Sequence, residues 1–246
     1  MGSRRGRRAI LAPVVLCLIG AAAFAADSPV GTVLFSRDSE SDAVGAQPAG
    51  WAVLVDNGNA AVVSDAPAWG ERSLKFTRTG GTVWKPMISG TISGEDNSAL
   101  QLDSDWYLPA LFDSDSEALS VVLRGDGNRA VVTVAVGGPG GVAVRQGVRD
   151  WLPLLFPVHP GAWGHVTVVM DPISRGAGGA CDVTVSQGAE KMTYPNIAFT
   201  PDWNNQYPTT HWNSPYFHLG GGKPGAAVEA YFDNVRLQVV QERKGG

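Results

Sequence analysis

The sequence predicts an all-β fold of two packed antiparallel sheets, and three observations carry that prediction. Turn formers are dense, 31 Gly and 16 Pro in 246 residues, so the apolar segments between them are short. No stretch keeps apolar residues at helical spacing for three turns. The short segments are rich in Val, Thr, Leu and aromatic residues, which suit a pleated, half-buried surface.

Taken in order, strands are expected at Thr32–Ser36, Trp51–Val55, Ala60–Val63, Ser73–Thr77, Thr82–Ile88, Ala99–Leu108 and Ala118–Arg124. They continue at Arg129–Val136, Val142–Arg145, Trp163–Met170, Cys181–Ser186, Tyr216–Leu219 and Val228–Val240. The pair around Gly125-Asp126-Gly127-Asn128 reads as a hairpin, because glycine tolerates the positive φ of a tight turn. So many strands in one run, without repeats or linkers, fit a two-sheet sandwich.

Two of these strands say more than the rest. In the strand ending at Leu108, Leu100, Leu102, Ser104, Trp106 and Leu108 share one face, the core face. Gln101, Asp103, Asp105 and Tyr107 share the other, which is solvent or the lining of a cleft. In the last strand, strict alternation sets Asp233 beside Tyr231, Val235, Leu237 and Val239, where a carboxylate needs a partner or a metal. A bulge would turn it outward instead.

Residues 1–25 have the pattern of a secretory signal peptide: Arg4, Arg5, Arg7 and Arg8, an apolar run, then Ala23-Phe24-Ala25. The expected organisation is therefore a leader, a single sandwich domain over 26–240, and a flexible tail over 241–246. The product is expected to be secreted or otherwise extracytoplasmic, in a periplasm or at a cell surface, without a transmembrane anchor. Without the four arginines, 15 basic residues face 23 acidic ones, which argues against nucleic acid as a partner. Only Cys181 lies beyond the leader, so stability must come from a large core rather than an internal disulfide.

Leu34-Phe35-Ser36-Arg37-Asp38-Ser39-Glu40 and Gly45-Ala46-Gln47-Pro48-Ala49-Gly50-Trp51 resemble the opening of concanavalin A-like lectin/glucanase jelly rolls. Gly70-Glu71-Arg72-Ser73-Leu74-Lys75-Phe76 is similar to their "G-x-x-S-L-x-F" strand. Trp163–Asp171 resembles the "W-x-x-V-x-x-x-x-D" strand of laminin-G-like members, and Phe232–Leu237 the closing "D-x-V-R-V" strand. The resemblance implies a jelly roll with a sheet able to hold an extended glycan. It also implies a structural calcium ion joining first and last strands, with Asp233 as one ligand and Asp38 or Glu40 as the second acid.

Catalytic readings are weaker. Gln101-Leu102-Asp103-Ser104-Asp105 has the same-face spacing of the jelly-roll glycoside hydrolases, but Gln stands where the first acid is needed. Tyr216-Phe217-His218-Leu219-Gly220 resembles the "Y-F-K-x-G" strand of one alginate-lyase group, without the companion motifs. His159, His165, His211 and His218 lack metal spacing, and Cys181 reads as a buried structural thiol. Arg124-Gly125-Asp126 is explained by its turn.

Sugar recognition by a sandwich needs rings to stack on sugar faces and amides or carboxylates to bond hydroxyls. Gln101, Asp103, Asp105 and Tyr107, together with Trp203 and Trp212 in the polar-aromatic loop Asp202–Ser214, are the candidate sugar-binding residues. The expected function is a secreted, non-catalytic, lectin-like domain for a polysaccharide or surface glycan. The alternatives are a divergent glycoside hydrolase or polysaccharide lyase, and a structural or adhesive envelope domain.

Overall fold

A computed structural model describes residues 28–55, 59–79, 86–92, 96–115, 118–146, 150–199, 211–219 and 228–243. Two antiparallel sheets face each other. The first runs β13 (Glu190–Ala198), β12 (Ala180–Gln187), β11 (Trp163–Met170), β6 (Leu100–Tyr107), β15 (Val228–Val239), β4 (Ser73–Arg78), β3 (Ala60–Ser64), and β1 (Val33–Arg37) also pairs with β15. The second runs β10 (Trp151–Pro153), β9 (Gly141–Arg145), β8 (Arg129–Gly138), β7 (Leu119–Gly125), β14 (Trp212–Leu219), β5 (Met87–Ser89), β2 (Ala52–Leu54). Among the described residues no helix is long and apolar enough to cross a membrane.

The inward faces alternate as the pleat requires. Leu100, Leu102 and Trp106 of β6 and Phe232, Val235 and Leu237 of β15 meet Leu119, Val121 and Leu123 of β7 and Phe217 of β14 in one buried cluster. Phe217 and Phe232 stack across the sandwich with centroids 4.7 Å apart and planes 1° from parallel. Trp51 stands edge-on to both, 5.7 and 6.3 Å away. Gly164 pairs with Trp106, and any Cβ there would collide with the indole, so the ring fixes the residue.

β15 ties the chain's ends together. One edge pairs with β6; the other pairs with β4 through Val228–Phe232 and then with β1, where Arg37 meets Val235. Between Asp233 and Arg236 the register slips, and Asn234 has φ 49°. This bulge corrects the strict alternation read from the sequence. Asp233 lies opposite Asp105, on the outward face with Tyr231, Arg236 and Gln238, while Val235 turns into the core.

Other corrections have local causes. β13 escaped the sequence reading because it is an edge strand exposed on most of its length, so it shows no apolar alternation. β10 is three residues long and ends on a proline. β14 begins at Trp212 rather than Tyr216, since Pro215 reads as a breaker although it sits in the ladder opposite Leu123. β5 begins at Met87; 82–85 lie outside the described residues, as does the expected leader. Within the stretch expected to be a flexible tail, Arg243 Nη2 donates to Asp182 Oδ1 at 2.5 Å and to Asn196 Oδ1 at 2.6 Å, while 244–246 lie outside the described residues.

Candidate functional site

Two outward faces carry polar side chains, and they are built differently. On the first sheet, Gln101, Asp103, Asp105 and Tyr107 stand together on the face away from the core, as alternation predicts, with Asp105 buried and the others half-buried. Their pairing partners are Val169, Thr167, His165 and Trp163 of β11. His165 Nδ1 lies 2.5 Å from Asp105 Oδ1, and its Nε2 lies 3.1 Å from Thr167 Oγ1 and 3.5 Å from Asp103 Oδ1. Thr167 Oγ1 and Gln101 Nε2 donate to the two Asp103 oxygens at 2.7 and 2.8 Å, and Asn234 Nδ2 donates to Asp105 Oδ2 at 2.7 Å.

This arrangement holds a protonated imidazole. The Asp103 and Asp105 carboxylates push the His165 pKa up to about 9 against the opposing cost of burial. Burial pulls Asp103 upward, but the bonds from His165, Gln101 and Thr167 outweigh it and hold the carboxyl below its ordinary range. Both carboxylates are therefore engaged across β6, β11 and β15. The face works as an electrostatic clamp.

The clamp has a pH signature. His165 is raised above its unfolded value of 6.5, so its contribution to stability is complete below about pH 6.5 and lost as pH rises through about 9. The urea midpoint of the wild-type chain should fall between pH 6.5 and 9.5, and His165→Gln should flatten that arm. An unchanged slope in the variant would mean the clamp contributes nothing.

Asp233 is the odd group on this face. Its Oδ1 accepts the Asn234 N–H at 2.8 Å, whereas the buried Oδ2 has no partner. Burial pushes its pKa up to about 7, helped by the Glu40, Asp105 and Asp38 carboxylates. Asp38 Oδ1 accepts the Glu40 N–H, and both Glu40 oxygens accept the Glu71 N–H. Among the described residues no group of three or more His, Cys, Asp or Glu is set to hold a metal.

The outward face of the second sheet was not singled out by sequence. Leu119, Val121, Leu123 and Phe217 point into the core, so Ser120, Val122, Arg124, Tyr216 and His218 point away from it. Two cross-strand rows result: Ser89, Tyr216, Val122 and Thr133; and Met87, His218, Ser120, Ala135 and Ala143. Arg145 stands on the same face, opposite Trp151. The small side chains of Ser120, Ala135 and Ala143 form a low floor beside taller Tyr216, His218 and Arg145.

Chemistry is concentrated here. The Arg124 guanidinium lies over the Tyr216 ring, 3.7 Å from its centroid, and Tyr216 and His218 are 5.1 Å apart. Both rings are shielded from water, at 3% exposure. Burial pushes the phenol up to about 12 and the imidazole down to about 3, with Arg124 and Arg145 also lowering the imidazole. His218 is therefore neutral at physiological pH. Thr133 Oγ1 and Arg124 Nε are buried without a hydrogen-bond partner.

Of the remaining expected residues, Trp212 is fully buried, donating its indole N–H to Ser98 O at 2.8 Å, so it is a core residue. Trp203 lies outside the described residues. Cys181 is buried, its thiol pushed up to about 12 by desolvation, as a structural thiol should be. The only sequence signal for the second face was the Tyr216–Gly220 similarity; Arg124 and Arg145 reach it by long-range pairing.

No family model matches the chain, and no curated protein matches it. Solved structures do. A cellulose-induced protein is 14% identical, with TM-score 0.56, covering 86% of this chain and all of that one. The fold is a jelly-roll β-sandwich, consistent with a concanavalin A-like fold. An alginate lyase in complex with an alginate tetrasaccharide matches at 15% identity and TM-score 0.53, over 87% of this jelly roll and 100% of that chain. A lectin complexed with galactose is 10% identical, with TM-score 0.53 over the same shares. A sialidase matches at 13% and 0.54 over 77% of this chain, which spans only 17% of the sialidase. Identities this low establish shared architecture, so the jelly roll's function rests on its own residues.

Proposed function

We propose that this jelly roll is an extracytoplasmic, non-catalytic carbohydrate-binding domain that takes a polysaccharide or surface glycan on the outward face of its second sheet. One observation carries the reading. Tyr216, His218, Arg124, Arg145 and Thr133 share that face, turned away from the interior between the sheets and largely buried, beside the small side chains of Ser120, Ala135 and Ala143. Hydroxyl, imidazole and guanidinium groups of this kind bond sugar hydroxyls and substituents. Architecture shared with lectins and other sugar-active proteins supports the reading. The Arg-rich, apolar leader pattern supports export.

Binding to a glycan array by the chain lacking residues 1–25 tests this. Arg124→Ala and Tyr216→Phe should each weaken the best ligand about tenfold, the scale of one lost charge-assisted hydrogen bond. Asp103→Asn should leave binding unchanged. Binding lost only with Asp103→Asn would move the site to the clamp face.

The His218 imidazole beside the Tyr216 phenol favours a second, catalytic reading, since these side-chain types serve as general base and acid. Release of reducing ends or unsaturated product would establish it. Silence in both assays would leave a structural or adhesive role.

We also propose a structural calcium ion at Asp233. The orphaned, buried Oδ2 fits a cation, and Asp38 and Glu40 of the segment after β1 are the acids near it. Backbone carbonyls would complete the oxygen shell that calcium requires. The ion would neutralise Asp233 and pin the last strand to the first.

A further inference from the structure

Charge is divided unequally between the two sheets. The strands of the first carry six acids, Asp103, Asp105, Asp182, Glu190, Glu229 and Asp233, beside five bases, Arg37, Lys75, Arg78, Lys191 and Arg236. The strands of the second carry none, but hold Arg124, Arg129 and Arg145. This happens in a chain where acids outnumber bases 23 to 19. The outward face of the second sheet therefore carries two arginines, Arg124 and Arg145, and no carboxylate from its own strands.

Stacking of a neutral pyranose is poorly served on that face. Its central ring is Tyr216, and the Arg124 guanidinium already covers one side of it at 3.7 Å. What the face does present is donors. Arg124 Nε is buried without an acceptor, and so is Thr133 Oγ1 in the neighbouring row. A planar guanidinium offers a fork of N–H groups that matches a carboxylate, and shielding from water strengthens that pairing. Register puts Thr133 in the Tyr216 row and Arg145 two residues beyond Ala143, so both arginines flank the floor of Ser120, Ala135 and Ala143.

We infer that the glycan bound by this face is acidic, a uronate-containing polysaccharide whose carboxylates are received by Arg124 and Arg145. The inference rests on the glycan-binding reading above and names its ligand class. Arg124, held on the Tyr216 ring, is presented in one orientation, which favours a regularly spaced anionic chain over a mobile counter-ion.

Calorimetric titration of the chain lacking residues 1–25 with oligogalacturonate and with alginate oligosaccharides, each beside its carboxyl-reduced counterpart, tests it. At least one native uronate oligomer should bind, and its reduced form should bind tenfold more weakly or worse. Affinity for the native oligomer should also fall between 50 and 300 mM NaCl. Arg124→Gln and Arg145→Gln should each cost tenfold or more. Arg124→Lys, which keeps the charge but loses the fork, should fall between wild type and Arg124→Gln, and it serves if the glutamine variants fail to fold. Equal binding of native and reduced oligomers, or binding of neutral array glycans alone, would overturn the acidic assignment while leaving glycan recognition standing. No binding to any acidic or neutral glycan would overturn both.

Discussion

Millimolar calcium should raise the melting temperature of the wild-type chain by about 5–10 °C and leave Asp233→Asn unmoved. A ligand at a hundred times its dissociation constant stabilises by about 2.7 kcal/mol, which for a domain of this size is a shift of that order. In chelator the sign reverses. The Asp233 pKa is raised from 3.8 to about 7, so its contribution to stability is full below about pH 4 and lost as pH rises through 7. Above pH 7 the wild type must hold a buried carboxylate, at a cost of up to about 4 kcal/mol by the pKa-to-energy conversion. Asp233→Asn removes that charge and should therefore be the more stable protein at pH 8 without calcium. Thermal melts of both proteins in calcium and in chelator decide the matter, and a wild-type melting temperature indifferent to calcium would end the metal proposal.

Phe232→Ala should be the most damaging substitution among those considered, at about 3–5 kcal/mol. The ring is fully buried and stacked on Phe217, with Phe76 4.9 Å away and Trp51 edge-on. Truncation leaves a cavity where the two sheets meet and forfeits the aromatic pairing as well. Urea unfolding should show a lower midpoint with an unchanged slope. A loss below about 1 kcal/mol would show that this stack does not join the sheets.

Legibility in the sequence followed how far each signal reached. Trp163–Met170 was placed at both ends from its own residues, because β11 alternates cleanly and is bounded by turns. Gln101, Asp103, Asp105 and Tyr107 were assigned correctly to one face for the same reason. For Asp233, strict alternation gave the wrong face, and the alternative of a bulge gave the right one. Its bulge depends on how β15 pairs with β6 while its opposite edge passes from β4 to β1, and no local pattern encodes that. The second-sheet face was the larger omission, since Tyr216 and His218 are far in sequence from Arg124 and Arg145 and meet them only through the β7–β14 and β7–β8–β9 ladders.

From residue order alone came the class of fold, the approximate strands, the unequal balance of acid and base, and the inward or outward aspect of regular strands. Those properties follow from side-chain periodicity, which is local. Folding in three dimensions decided which strands became neighbours, where the closing strand slips, and that Arg124 and Arg145 share one sheet face with Tyr216 and His218. Pairing between distant segments is set by the free energy of the assembled sandwich, and no short stretch of chain contains that quantity.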